Sequence, residues 1–91
     1  MAYFAQIDTT NVVIDVIAIN NAEVDNLPFP ESEPIGQAFI ASLGIAGDWL
    51  QTSYNNNFRG RYAGLGFIFD QTIGEYGQFV DPTPVPPNPP E

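Results

Sequence analysis

The chain contains no cysteine, no histidine and no lysine. Without cysteine there are no disulfides and no thiolate zinc sites, and without histidine the usual nucleophile–base pairs are missing. The lack of lysine excludes Schiff-base chemistry and a Ser–Lys dyad. A pair of carboxylates is the remaining catalytic option, but the acids nearest to strand segments are better explained as turn or surface residues. These candidates are Asp15, Asp48, Asp70 and Asp81. We therefore expect a protein that is not an enzyme and uses neither a metal ion nor an organic cofactor.

Positive charge is also scarce, because two arginines face eleven acidic residues and the formal net charge is −9. A field of this sign repels nucleic acids and anionic membrane surfaces, so we expect neither as a partner. It favours a basic protein partner, although a simply solvated acidic surface explains the same composition. No apolar run approaches the roughly 20 residues that span a bilayer, and the N-terminus lacks the basic start of a secretion signal.

Aromatic and aliphatic residues are plentiful, at 44% hydrophobic content with seven phenylalanines, four tyrosines and one tryptophan. Such a chain folds rather than staying disordered. At 91 residues its core is small, and domains of this size often depend on oligomerisation or docking for stability. The aromatic residues expected in the core are Tyr3, Phe4, Phe39, Trp49, Phe67, Phe69 and Phe79.

Two apolar segments at the N-terminus predict a β-hairpin over residues 3–7 and 12–19. The connection contains Asp8 and Asn11, which favour tight turns through a side-chain acceptor and tolerance of left-handed backbone. In the second segment apolar residues fall on both faces, interrupted only by Asp15. This pattern is typical of a strand that is covered on both sides or lies in an interface.

A helical pattern follows at residues 33–43. Pro34 suits its first turn and Gly44 its end. Since so short a helix is marginal alone, we expect Phe39 and Leu43 to pack against a sheet.

The remaining segments predict a C-terminal antiparallel β-meander followed by a proline-rich tail. Six of the last ten residues are proline, which predicts an extended polyproline-like conformation from residue 82 onward. The predicted fold is α+β: one domain at residues 1–81, in which the hairpin, helix and meander pack around one small sheet, and a tail at 82–91. The predicted strands of the meander lie at residues 49–54, 58–62, 67–70 and 75–80.

The most specific local feature is the segment from Phe58 to Tyr62, where Arg59 and Arg61 flank a glycine between two aromatic residues. Arginine and tyrosine are frequent at the centres of interfaces, so one hypothesis is protein recognition. The alternative is that both arginines pair with the chain's own acids. The residues that we nominate for an interface are Tyr54, Phe58, Arg59, Arg61 and Tyr62, together with Pro84, Pro86 and Pro87 of the tail.

Several segments in this order resemble a group of short proteins from marine and cyanobacterial tailed phages. The matching segments are Met1–Asp8, Val12–Ile17, Gly36–Phe39, Trp49–Asn55, Asn57–Gly66 and Phe69–Asp70. The resemblance implies a non-enzymatic virion structural protein, namely a capsid decoration or cement subunit or a tail or fibre component. It also implies coat or tail subunits as partners, assembly as a homo-oligomer or symmetric array, and a place in the virion after synthesis in the host cytoplasm.

Two other functions remain open on the sequence. The first is a small acidic phage effector that binds and inhibits a basic host protein. The second is an adaptor whose proline tail docks into an aromatic groove.

Overall fold

The computed structural model describes residues 1–55, 57–60 and 62–82. These residues form the predicted α+β fold, in which one α-helix packs with antiparallel strands. The strands lie in two sheets, where the sequence suggested one. A short 3-10 turn at Asn21–Val24 follows the second strand. The elements are β1 (Ala2–Ile7), β2 (Val13–Ile19), α1 (Ser32–Ser42), β3 (Asp48–Thr52), β4 (Ile68–Asp70) and β5 (Gln78–Val80).

The N-terminal hairpin is confirmed, with β1 antiparallel to β2 and a bulge near Ile7. Oδ1 of Asp8 accepts hydrogen bonds from the Thr10 backbone at 2.8 Å, the Thr10 hydroxyl at 2.7 Å and the Val12 backbone at 3.1 Å. Asn11 adopts the left-handed backbone expected of it, with φ of 66°. The Thr10 hydroxyl, followed by the backbone donors of Val12 and Thr10, lowers the pKa of the Asp8 carboxyl.

The predicted helix is present, but it turns a different face to the core. Its buried positions are Ser32, Gly36 and Ile40, while Leu43 is 55% exposed. A side chain at Gly36 would overlap the ring of Phe4, so this glycine lets the helix lie directly on β1. The close contact points Ile40 inward and leaves Leu43 outside, and the prediction for Leu43 is therefore wrong.

The two sheets have the strand orders β2-β1-β3 and β4-β5. β4 and β5 pair with each other as predicted, whereas β3 pairs with β1, from Tyr3 opposite Thr52 to Ile7 opposite Asp48. Within the described residues 58–60 and 62 there is no strand, which corrects the prediction for this segment. The reason is local, because Arg59 and Gly60 have φ of 57° and 78°, in the left-handed region.

Buried side chains lie on both faces of the three-stranded sheet, because successive β1 residues such as Phe4 and Ala5 point to opposite sides. Half-buried Phe39 packs against the helix-side cluster, as expected. That cluster is formed by Ala2, Phe4, Ile19, Val24, Ile40 and Trp49. The opposite cluster is formed by Ala5, Val13, Ala63, Phe69 and Phe79. In the part of the chain described, no helix has the length and apolar character needed to cross a membrane.

Candidate interface

Arg59 lies inside the protein. Only 8% of its surface is exposed, and its two Nη groups donate to the two carboxylate oxygens of Glu33. Its Nε donates to the carbonyl of Tyr76 at 3.0 Å, and its guanidinium carbon lies 4.9 Å from the centre of the Phe29 ring. Of the two alternatives drawn from the sequence, the internal ion pair is the one observed for Arg59.

This ion pair also satisfies the outer edge of β3. The backbone N–H of Gln51 donates to Glu33 at 2.8 Å, and the carbonyl of Gln51 accepts from Arg59 at 2.8 Å. One turn further along the helix, the Gln37 side-chain amide donates to the carbonyl of Trp49 at 2.6 Å. Side chains of α1 and of the 57–60 loop thus occupy the position that a fourth strand would take, which is one way to protect a sheet edge.

Phe58 belongs to an aromatic stack around Phe29. The two rings are nearly parallel, 5° apart in orientation with centres at 4.0 Å, and Tyr76 meets Phe29 edge-on at 4.9 Å. Phe58 is half-buried. The stack joins the connector before the helix to the loop after β3, so the main contacts of Phe58 are internal.

Tyr54 and Tyr62 lie together at the surface and are joined there by Tyr3. Tyr3 stacks on Tyr54 at 5.4 Å between ring centres, and Tyr62 meets Tyr3 and Tyr54 edge-on at 5.7 and 5.3 Å. Tyr54 is 62% exposed. Desolvation, followed by the proximity of Tyr3 and Tyr54, raises the pKa of Tyr62 above its ordinary value. We refer to these three residues as the tyrosine cluster.

Tyr3 was assigned to the core from the sequence, and the structure places it half-buried in the tyrosine cluster instead. It lies on β1 between Ala18 of β2 and Thr52 of β3. The signal that identifies it is strand alternation, which puts Tyr3 on the face opposite Phe4. Arg61, Pro84, Pro86 and Pro87 lie outside the described residues, and their assignment to an interface stays a prediction.

The acidic residues considered for catalysis have local roles where the structure describes their contacts. Asp70 Oδ1 accepts from both the backbone and the hydroxyl of Thr72, and the hydroxyl contributes most to lowering the pKa of Asp70. Asp15 accepts from the backbone N–H of Val16 at 2.8 Å. Among the residues described, no group of three acids is arranged to hold a metal ion.

A groove of about 430 Å³ lies between α1 and the β4 side of the molecule. Gln37, Ala41, Asp48 and Phe69 are among its lining residues. Among the described residues that line this groove, Asp48 is the one carboxylate.

No protein-family model matches this chain, and no curated protein or solved structure matches it either.

Proposed function

We propose that this chain is a non-enzymatic structural subunit of a tailed-phage virion that acts through protein–protein contacts. It serves either as a capsid decoration or cement subunit or as a tail or fibre component. The observation that carries the binding role is the tyrosine cluster, which presents three aromatic rings at the surface of a small sheet. The assignment to a virion is supported by the resemblance of most of residues 1–81 to small phage proteins.

Tyrosine suits a binding surface because it offers a large, rigid contact area with little loss of side-chain entropy. Its ring packs against apolar surface while its hydroxyl stays hydrated or hydrogen-bonded. In the tyrosine cluster the rings support one another, so the most exposed ring, that of Tyr54, is held in place before a partner arrives. This arrangement matches the buried aromatic anchors that dominate many interfaces.

The charge distribution favours a basic partner surface. Arg59 is neutralised by Glu33 within the protein, so the net charge of −9 is carried by the rest of the chain. Acidic surfaces accelerate encounter with basic ones and disfavour acidic partners. A coat or tail subunit with a basic outer patch therefore fits this chain best.

The same acidic excess favours the alternative function, in which the chain inhibits a basic host protein. An effector of this kind forms a one-to-one complex whose association rate falls steeply with salt, and it is absent from finished particles. A virion subunit is present in particles at a defined copy number.

A reconstitution experiment tests the proposed function. Purified chain is added to particles made by a phage that lacks it, and binding is measured by co-sedimentation. We expect saturable binding that Tyr54→Ala weakens about 5- to 30-fold, which corresponds to ~1–2 kcal/mol at an interface hot spot. Ile73→Ala is the matched control, because Ile73 is an exposed apolar residue in the β4–β5 connection. The proposal fails if no saturable binding occurs, or if both variants bind like the unmodified chain.

A further inference from the structure

The outward-pointing backbone groups are hydrogen-bonded differently at the two outer edges of the three-stranded sheet. The β3 edge is covered by Gln37, Glu33 and Arg59, as described above. At the β2 edge the described residues cover the beginning of the strand, where Val13 exchanges backbone hydrogen bonds with Gly66 and Phe67. Beyond that point, the one hydrogen bond that the described residues make to the outer side of β2 is local, from the Val16 N–H to the side chain of Asp15.

The hydrogen-bonding pattern identifies which β2 groups point outward. Gln51 uses its backbone N–H and carbonyl on the side facing away from β1, so it exchanges no hydrogen bonds with Phe4 opposite. Phe4 therefore bonds to Ile17 on β2, and the backbone groups of Val16 and Ala18 point outward. The bond from the Val16 N–H to the Asp15 side chain agrees with this assignment.

The side chains along this edge are mostly apolar. Ile14 is 50% exposed, Ala18 is exposed, and Val16 and Ile17 are half-buried. Asp15 is the only charged residue in β2, although the whole chain carries a net charge of −9. A long apolar edge strand with outward-pointing backbone groups is a template for pairing with another strand, and monomeric proteins usually block such edges.

We propose that the free edge of β2 pairs with the same edge of a second copy of this chain. The two strands run antiparallel about a two-fold axis at Ile17, and the two three-stranded sheets become one sheet of six strands. This inference rests on the proposed function and deepens it, because it identifies the surface through which virion subunits contact each other. Pairing of identical edges is the symmetric contact expected of a two-fold dimer.

The register about Ile17 is self-complementary. Val16 lies opposite Ala18 of the second copy, so the outward backbone groups of both strands meet as hydrogen-bonded pairs. In this pairing the exposed Asp15 carboxylate gives up the Val16 N–H, which donates to the carbonyl of Ala18 in the second copy instead. Ile17 meets Ile17 of the second copy, and Asp15 lies opposite Ile19 rather than opposite another acid. The two Asp15 residues are four positions apart along the strands, roughly 13 Å at ~3.3 Å per residue. That separation exceeds the screening length of about 8 Å at physiological salt.

A second copy fits this edge better than an unrelated strand for a further reason. Acidic subunits repel one another over most of their surface, and the edge from Val16 to Ile19 carries no charge. The proline-rich tail at 82–91 is a competing occupant, since it has few charges and its composition predicts an extended chain. The experiments below distinguish the two.

The first experiment measures the mass of the purified chain across a range of concentrations by light scattering or sedimentation. Ala18→Pro removes an N–H that points away from β1, so it leaves the hairpin ladder intact and blocks pairing with a second copy. Ala18→Thr keeps the donor and is the matched control. We expect the unmodified chain and Ala18→Thr to dimerise, and Ala18→Pro to raise the dimer dissociation constant at least tenfold. A chain that is monomeric at all concentrations overturns the inference, as does an Ala18→Pro variant that dimerises equally well.

The second experiment uses the absence of cysteine and stays decisive if Ala18→Pro fails to fold. Ile17→Cys places one thiol at the two-fold axis, where opposing Cα atoms of a non-hydrogen-bonded pair lie about 4.5 Å apart, within disulfide range. We expect mild oxidation to crosslink this variant nearly completely, and to crosslink Ala41→Cys, exposed on α1, at several-fold lower yield. Equal yields contradict the proposed register.

A chain truncated after Asp81 separates the second copy from the proline tail. We expect the truncated chain to dimerise and to crosslink through Ile17→Cys as before. If only the truncated chain dimerises, the tail occupies the edge in the full chain and the inference is wrong. The proposed function is tested separately. A confirmed dimer that is absent from virions contradicts the proposed function and leaves the edge pairing intact. A chain that binds particles but does not dimerise contradicts the edge pairing alone.

Discussion

Arg59 and Glu33 are 26 residues apart in the sequence and form an ion pair that closes the outer edge of β3. Glu33 lies in the first turn of α1, and Arg59 lies in the loop after β3. Both also hydrogen-bond to the backbone of Gln51 between them. The pair therefore joins helix, sheet and loop at the β3 edge.

Removing one member of this pair should destabilise the protein strongly. Glu33→Gln leaves the buried guanidinium of Arg59 without a charged partner, and we expect a loss of about 3 kcal/mol in the free energy of unfolding. Glu31→Gln is the matched control, because Glu31 is exposed just before the helix, and we expect a change within about 0.5 kcal/mol. Urea unfolding followed by circular dichroism measures both. Similar unfolding midpoints for the two variants would contradict the role of the ion pair.

The contact between Gly36 and Phe4 should not tolerate even one added methyl group. In an exposed helical position Gly→Ala is stabilising, but here the new Cβ overlaps the Phe4 ring, and we expect a loss of about 1–3 kcal/mol. Phe4→Leu creates room, so the double variant should lose less than the sum of the single changes. A double-mutant cycle tests this, in which thermal or urea unfolding is measured for the unmodified chain, the two single variants and the double variant. Additive losses would show that Gly36 and Phe4 are not in contact.

The turn at Asp8 should make the free energy of unfolding depend on pH in the acidic range. The pKa of this carboxyl is lowered in the folded chain, chiefly by the Thr10 hydroxyl, so the unfolded chain binds its proton more readily. The contribution of the Asp8 carboxylate to the free energy of unfolding is complete above the ordinary carboxyl pKa of 3.8. It is lost as the pH falls through the lower pKa that this group has in the folded chain. We expect Asp8→Asn to lower the unfolding temperature at pH 7 and to approach the unmodified chain below pH 3. A constant difference at all pH values would contradict this explanation.

The tyrosine cluster should be visible in an alkaline titration. The pKa of Tyr62 is raised in the folded chain, mainly by desolvation. The stability that this neutral hydroxyl contributes is therefore present below the ordinary tyrosine pKa of 10.0. It is lost as the pH rises through the higher pKa of the folded chain. Phenolate absorbance measured from pH 8 to 13 should show a late-titrating tyrosine that Tyr62→Phe eliminates. If Tyr62→Phe leaves the last transition in place, Tyr62 is more solvated than the cluster implies.

Local signals were sufficient to predict the hairpin and the helix. Asp8 and Asn11 specify the turn through their own side-chain and backbone preferences, and Gly44, with φ of 80°, follows the helix as expected. The buried face of the helix was not predictable in the same way. It depends on the contact between Gly36 and Phe4, which are distant in sequence, and this contact overrides the periodic pattern that favoured Leu43.

The candidate site was predictable only in part, for the same reason. Tyr54 and Tyr62, which the sequence nominates for an interface, lie next to each other in the structure, and Tyr3 joins them because β3 pairs with β1. Arg59 has an alternating sequence context typical of a strand, yet it adopts left-handed backbone and turns inward to Glu33. Long-range pairing decides both outcomes, and a single sequence does not encode it in a local pattern.

Quantitative mass spectrometry of density-purified particles of the parent phage tests the proposed virion role most directly. We expect to find the chain in the particles at a reproducible copy number. A number close to that of the coat protein indicates a decoration or cement subunit, and a few copies indicate a tail or fibre component. Abundance in infected cells together with absence from purified particles would contradict the structural role and favour the host-binding effector.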